Sequence, residues 1–365
     1  MEGRGYTGIN QEDYKRGEEV NSKISLYDDE GKKKSQVSLL TEIALTQELF
    51  HCQKKNGHTI LFINGHWEAW PLSSKTYKDW LLEQFFNLTG KGANRNSVAD
   101  ALGTIECVAK FKRECKPVHL RTAMMKDKIY IDLCDPEWRV VEIDKHGWSV
   151  LSRSPVLFIR KKSMSALPIP AEGGDINNIW KFLNIEEKDR PLVLGYILAS
   201  LRPKGPYPVL VLVGEQGTAK STAARIIRLL IDPSLSLLRS PPKDEKDFLV
   251  GCINNWCVVV DNLSGLQVWF SDALCRISTG GAFSARALYT DTDEVLIDLQ
   301  RPIILNGIDD IATRPDLAER SIILNLQPIV DENRIAENEF YENFSKTQPE
   351  ILGCIFDAKM TNRCN

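Results

Sequence analysis

Residues Val209 to Val213 form an unbroken apolar run that stops at a glycine. The loop that follows, Gly214-Glu215-Gln216-Gly217-Thr218-Ala219-Lys220-Ser221-Thr222, ends in a lysine and two hydroxyls. A run that is apolar at every position predicts a strand buried on both faces, as in a parallel sheet. Glycines let successive backbone N–H groups curl around an anion, a lysine at this point reaches terminal phosphates, and the hydroxyl after it is placed to hold Mg²⁺. Residues Ala223 to Leu230 then carry helical periodicity, so strand, loop and helix stand in the order that a triphosphate-binding loop requires. We therefore expect a nucleoside triphosphate, ATP with Mg²⁺, across residues 214–222. The spacing departs at one position: Ala219 stands where a glycine is expected just before the lysine.

Such a loop needs partners at the carboxyl ends of neighbouring strands. The segment Trp256 to Asn262 reads as an apolar strand ending in an acid, and Asp261, 41 residues after Lys220, is the candidate to orient the metal with Ser221. At the next position a carboxylate would activate the attacking water, but this chain has Asn262. An amide orients water and is no base, so turnover is expected to be weak, or to use another carboxylate such as Asp272 or Glu215. A third strand, Arg301 to Asn306, ends in an amide that could read the γ-phosphate or the lytic water; a turn at Asn306-Gly307 is the competing reading. Beyond it, Arg314 to Arg320 reads as a short helix leading into a strand at Ser321 to Leu324. Arg320 at that helix end could stabilise transition-state charge in a neighbouring subunit, or simply pair with Glu319 or Asp316. Between the second and third strands, residues 279–298 read as two short strands around a polar turn.

At 365 residues, 43% apolar and 26% charged, the chain is expected to hold two globular domains. A net charge of −3 gives no whole-chain attraction for nucleic acid, so such contact would need a local basic or aromatic surface. The nine cysteines are odd in number and lack any Cys-x-x-Cys pair, which predicts reduced, mostly buried thiols. His51, Cys52, His58 and His66 match no standard zinc spacing. The longest apolar stretch, Pro191 to Leu201, is too short for a bilayer, and the amino terminus lacks a signal-peptide core, so a cytoplasmic protein without membrane contact is expected.

Residues 1–36 are polar and read as a flexible arm. Residues 37–165 mix helical periodicity, at Leu39 to His51, Thr76 to Leu88 and Ser97 to Phe111, with short strands, among them Lys128 to Asp132 and Val140 to Ile143, and read as an α+β accessory domain. The link at Lys126-Asp127 lacks the glycine of a tight two-residue hairpin. Residues 166–174 form a Pro/Gly-rich linker, 175–333 alternate strands and helices as a triphosphate-loop domain, and 334–365 read as one or two helices.

In this order, the loop 214–222, the Asp261 strand, Thr279-Gly280-Gly281 with Arg286 and Leu288-Tyr289, the Asn306 strand and the Arg314 to Arg320 segment resemble the superfamily-3 helicases of the AAA+ class, in particular poxvirus-type and phage primase-helicase ATPases of viruses and mobile elements. The resemblance covers roughly residues 170–330. It implies an α/β fold with a P-loop AAA+-type parallel sheet and helices on both faces. It also implies a hexameric helicase or translocase with ATP between subunits, Lys220, Asp261, Asn262, Asn306 and Arg320 as catalytic groups, and Arg320 serving the adjacent site. A hairpin bearing Arg286 and Tyr289 would grip single-stranded DNA. Asn262 and the acidic hairpin tip (Asp291, Asp293, Glu294) depart from that pattern. No acidic triad or zinc motif for priming is visible. Two other classes compete: an ATP-dependent switch or scaffold that recruits replication or defence partners without unwinding, and a small-molecule kinase, which usually carries an arginine-rich lid.

Overall fold

A computed structural model of the chain describes residues 24–53, 56–286, 294–308, 311–329 and 336–361. Two compact units are interleaved along the sequence. The first runs to His119 and includes Pro136–Val140 and Leu151–Ile159; the second takes Leu120–Asp135, Val141–Val150 and the chain from Arg160 onward.

In the first unit, helix α1 (Gln36–Leu45) starts at Ser35, whose side chain accepts from the Ser38 amide. A three-stranded antiparallel sheet, β1 (Glu48–His51), β2 (Gly57–Ile63) and β3 (His66–Pro71), follows in spatial order β1-β2-β3. Helices α2 (Lys75–Thr89) and α3 (Arg95–Lys112) are capped by Ser74 and Asn94. Leu40, Ile43, Leu61, Tyr77, Leu81 and Ile105 form the core between them. The helix expected to continue to His51 ends at Leu45, because residues 48–51 pair with 57–60. Leu49-Phe50 fits either period, and the ladder decides. A short parallel pair, β4 (Val118–His119) with β9 (Leu157–Phe158), completes the unit.

The second unit opens with a sheet in the order β5 (Thr122–Met125), β6 (Lys128–Asp132), β7 (Val140–Asp144) and β8 (Gly147–Leu151). The β5–β6 turn is two residues long, with Met125 opposite Lys128 and positive φ at both Lys126 (49°) and Asp127 (61°). That is the geometry of a type I′ turn, built without glycine. Helix α4 (Arg190–Ser200) precedes β10 (Val209–Val213), and α5 (Lys220–Ile231) follows it. Next come α6 (Glu245–Asn254), β11 (Val258–Leu263), α7 (Val268–Thr279), and the antiparallel hairpin β12 (Gly281–Arg286) and β13 (Glu294–Leu299). The chain then passes through β14 (Ile303–Gly307), α8 (Pro315–Ala318), β15 (Ser321–Asn325) and α9 (Glu337–Thr361).

The four strands β11-β14-β10-β15 form one sheet in which every pair is parallel. Alternation along each strand sends side chains to two cores. Leu210, Leu212, Val259 and Ile304 pack with Val193 and Ile197 of α4 and with Ala223, Ile226, Ile227 and Leu230 of α5. Val209, Val211, Val258, Val260, Ile303 and Leu305 pack with Phe248 of α6 and with Phe270, Leu274 and Ile277 of α7. Both faces are thus covered by helices, as a parallel sheet requires.

One buried polar network crosses this unit. Arg121 and Asp232, both essentially inaccessible, pair at 2.9 Å. Asp232 also accepts from the amides of Trp256 (2.9 Å) and Cys257 (3.0 Å), just before β11. Arg228 of α5 reaches the Leu237 carbonyl and Asn255, and burial pulls its pKa below the ordinary arginine range. The carboxyl end of α5 and the entry to β11 are therefore held by the same groups.

Of the described cysteines, Cys52, Cys252 and Cys257 are buried, while Cys107 and Cys115 are exposed, so the expectation of mostly buried thiols is met only in part. Among the described residues no helix is long and apolar enough to cross a membrane.

Candidate functional site

All four parallel strands end on one edge, and β10, β11 and β14 deliver their loops there. Loop 214–219 leaves β10 between Val213 and the first turn of α5. Gly214 is required by close approach, because a Cβ there would lie 2.7 Å from the Leu326 carbonyl oxygen. Gly217 has φ 85°, a conformation glycine adopts without cost. Ala219 sits at φ 60°, ψ 30°, the left-handed region, without glycine's freedom. As the residue before α5 it has no side-chain oxygen to cap the helix, which leaves first-turn N–H groups for another acceptor.

The left-handed Ala219 costs about 1–2 kcal/mol, partly offset by the greater unfolded-state entropy of glycine. Ala219→Gly is expected to raise stability by about 0.5–1 kcal/mol. Urea unfolding of the two proteins checks this, and an unchanged or lower midpoint would contradict it.

The Lys220 ammonium folds back onto the loop, donating to the carbonyls of Gly214 (2.6 Å) and Glu215 (2.7 Å) and to Thr218 Oγ1 (3.3 Å). Burial lowers its pKa, opposed by the charge of Asp261. Ser221 Oγ donates to Asp261 Oδ1 at 2.8 Å, so the hydroxyl and the carboxylate expected to share a metal are in direct contact. Asn262 has φ 60° at an irregularity in β11, where the register against β14 shifts between Val260 and Leu263. Asparagine tolerates that conformation better than most residues. Its backbone N–H donates to Asn306 Oδ1 at 2.8 Å, while its side chain is exposed.

Asn306 is 1% exposed, and its Nδ2 has no hydrogen-bond partner among the described residues. A buried amide donor left unpaired costs roughly 1–3 kcal/mol, so it marks a place where an acceptor belongs. Strand β14 lies between β10 and β11, which sets Asn306 between the loop strand and the Asp261 strand. The structure thus gathers Lys220, Ser221, Asp261, the Asn262 backbone and Asn306 on one edge.

Other expected residues lie elsewhere. Arg320 precedes β15 at the opposite edge, where its carbonyl accepts from Val209 and its Nη1 donates to the Asp316 carbonyl at 2.5 Å. A five-residue strand at ~3.3 Å per residue separates it from the loop of its own chain by about 15 Å. Asp272 is paired with Arg314 at 3.0 Å, and Glu215 is exposed. Arg286 ends β12 opposite Glu294, whereas Tyr289 lies outside the described residues, as do Asp291 and Asp293. Among the described residues no group of three or more His, Cys, Asp or Glu is arranged to hold a metal ion.

One participant carried no motif. Asn184, in the link between two 3₁₀ turns, donates from Nδ2 to the Thr218 carbonyl (3.1 Å) and to the Gln327 carbonyl (2.7 Å). Residue 326 continues the β15 ladder, donating to the Val213 carbonyl at 2.8 Å. Together, an uncapped helix start, an ammonium, a hydroxyl–carboxylate pair and an unpaired amide can hold a polyanion and a divalent cation.

Comparison with curated protein sequences gives no match. Among solved structures, the apo NrS-1 C-terminal region is 12% identical with a TM-score of 0.49, over 87% of this chain and 68% of that one. SCCmec type IV Cch, described as an active helicase, is 13% identical with a TM-score of 0.46, over 87% and 61%. JCV helicase bound to a substituted N-phenylacetamide compound is 10% identical with a TM-score of 0.33, over 49% and 52%. Over residues 176–365, which contain the whole constellation above, the chain matches the model of one family, and it belongs to that family: the actinomycete integrative conjugative element replication proteins.

Proposed function

We propose that this replication protein is a DNA-dependent ATPase of the P-loop AAA+ kind, working as a helicase or translocase on single-stranded DNA. The observation that carries the reading is the pairing of Ser221 with Asp261 and of the Asn262 backbone with Asn306, beside a glycine loop at the carboxyl edge of a parallel sheet. In this reading the N–H groups of residues 214–222 cradle the ATP phosphates, and Lys220 exchanges the Gly214 and Glu215 carbonyls for phosphate oxygens. Ser221 and Asp261 would hold Mg²⁺, which would supply positive charge against the phosphates. Asn306, already fixed through its Oδ1, turns Nδ2 to the γ-phosphate or the attacking water. Arg320 would serve the nucleotide of a neighbouring copy, which makes a ring, probed as a hexamer, the working assembly. Arg286 and Tyr289 are the proposed DNA contacts.

ATP turnover by the full chain, with and without single-stranded DNA, tests this. Turnover that rises with DNA is expected, and no turnover under either condition would refute it.

A second reading, an ATP-dependent switch that recruits replication partners, is favoured by one observation. Asn262 offers no base, and Asp272, one of two alternative carboxylates (Glu215 is the other), is engaged by Arg314. ATP binding without DNA-stimulated turnover would select the switch.

A further inference from the structure

The loop contains a strained peptide, and something must hold it. A non-glycine residue in the left-handed region persists only where its surroundings over-determine it. Ala219, at φ 60° and ψ 30°, is such a residue, and its own methyl side chain supplies no hydrogen bond. The peptide that joins it to Thr218 is held from outside the loop: Asn184 Nδ2 donates to the Thr218 carbonyl at 3.1 Å. In a trans peptide the C=O and the next N–H point in opposite directions. Pinning the Thr218 carbonyl toward Asn184 therefore turns the Ala219 N–H away from Asn184.

The second proton of the same amide goes to the Gln327 carbonyl at 2.7 Å. Gln327 is fixed in turn, since the preceding residue, Leu326, is laddered to Val213 at 2.8 Å and its carbonyl closes on Gly214. The donor is thus braced against the sheet and cannot swing with the loop. Thr218 is itself fully buried, and its Oγ1 donates to the Glu215 carbonyl at 2.9 Å. A side chain with only acceptors at position 184 would face two carbonyl oxygens with no proton to offer.

We propose that Asn184 is a positioning residue for nucleotide binding: it holds the Thr218–Ala219 peptide in the strained orientation that presents the loop amides to phosphate. This rests on the reading of the loop as an ATP site. Asn184 touches no substrate and acts only through the loop backbone.

The test uses the full chain and a fluorescent ATP analogue with Mg²⁺, titrated against wild type, Asn184→Ala, Asn184→Asp, Ala219→Gly and the Asn184→Ala/Ala219→Gly double variant. Circular dichroism and unfolding midpoints show that each is folded. Asn184→Ala is expected to weaken binding by about tenfold, as for one lost hydrogen bond, and Asn184→Asp by more. In the Ala219→Gly background the same alanine change is expected to weaken binding by roughly threefold or less, since glycine reaches φ > 0 without the pin. A merely structural asparagine would lower the unfolding midpoint alike in both backgrounds and leave the dissociation constant unmoved. Binding unaffected by Asn184→Ala, or weakened equally in both backgrounds, overturns the proposal while the ATP site stands. Failure of the wild type to bind the analogue overturns both.

Discussion

Lys220→Ala is expected to lower DNA-stimulated ATP turnover by about 10²- to 10³-fold, the scale seen when one preorganised charge or donor is removed from a transition state. Nζ is the only cation that the described residues place against the loop carbonyls, at 2.6 and 2.7 Å from Gly214 and Glu215. In the absence of phosphate it donates to those oxygens; in the proposed function it exchanges them for phosphate oxygens. Alanine removes the charge at a position where no other described residue donates a cationic group to the loop carbonyls. The fold should tolerate the change within about 1 kcal/mol, since the Glu215 end of the loop is open to water, which can replace the lost donor. Turnover within threefold of wild type would show that Lys220 does not face the reacting phosphates.

The second large effect concerns stability. Asp232→Ala is expected to destabilise the protein by about 3–5 kcal/mol, the range for removing one partner of a buried ion pair. The carboxylate is 1% exposed, pairs with a fully buried Arg121 and accepts the Trp256 and Cys257 amides. Its loss leaves a buried guanidinium without its counter-charge and two buried N–H groups without an acceptor. Asp232→Asn, which keeps one carbonyl oxygen, should cost less. Urea unfolding separates the outcomes, and a loss under about 1 kcal/mol for alanine would mean that water or a neighbour takes over the site.

What was legible in the sequence follows from how local each signal is. The strands at 209–213 and 258–260 could be read because burial on both faces makes every position apolar. The loop could be read because close approach at Gly214 and positive φ at Gly217 select glycine. The β2–β3 hairpin is marked locally by Asn64-Gly65, both at positive φ. The β5–β6 turn had no mark, since Lys126 and Asp127 adopt the same geometry without glycine. That residues 129, 131, 141 and 143 join the core beneath β10 was also not legible, because their alternation says which face is buried but not against what.

Within the candidate site, Asp261 and Asn306 stood at strand ends, where spacing could find them. The left-handed backbone of Asn262 and the role of its N–H could not be read, because an exposed asparagine gives the same letter in any turn. Asn184 and Asp232 act across 34 and 111 residues, on Thr218 and Arg121 respectively, and neither separation leaves a local pattern.

The most direct test of the account is the thermal unfolding midpoint of the full chain with ATP and Mg²⁺, compared with the same scan of Lys220→Ala. Ligand at one hundred times its dissociation constant stabilises by about 2.7 kcal/mol, or roughly 3–4 °C for a protein of this size. A rise of that order in the wild type, absent in Lys220→Ala, is the predicted result. No rise in the wild type, or an equal rise in both proteins, would contradict the assignment of loop 214–222 as the triphosphate site.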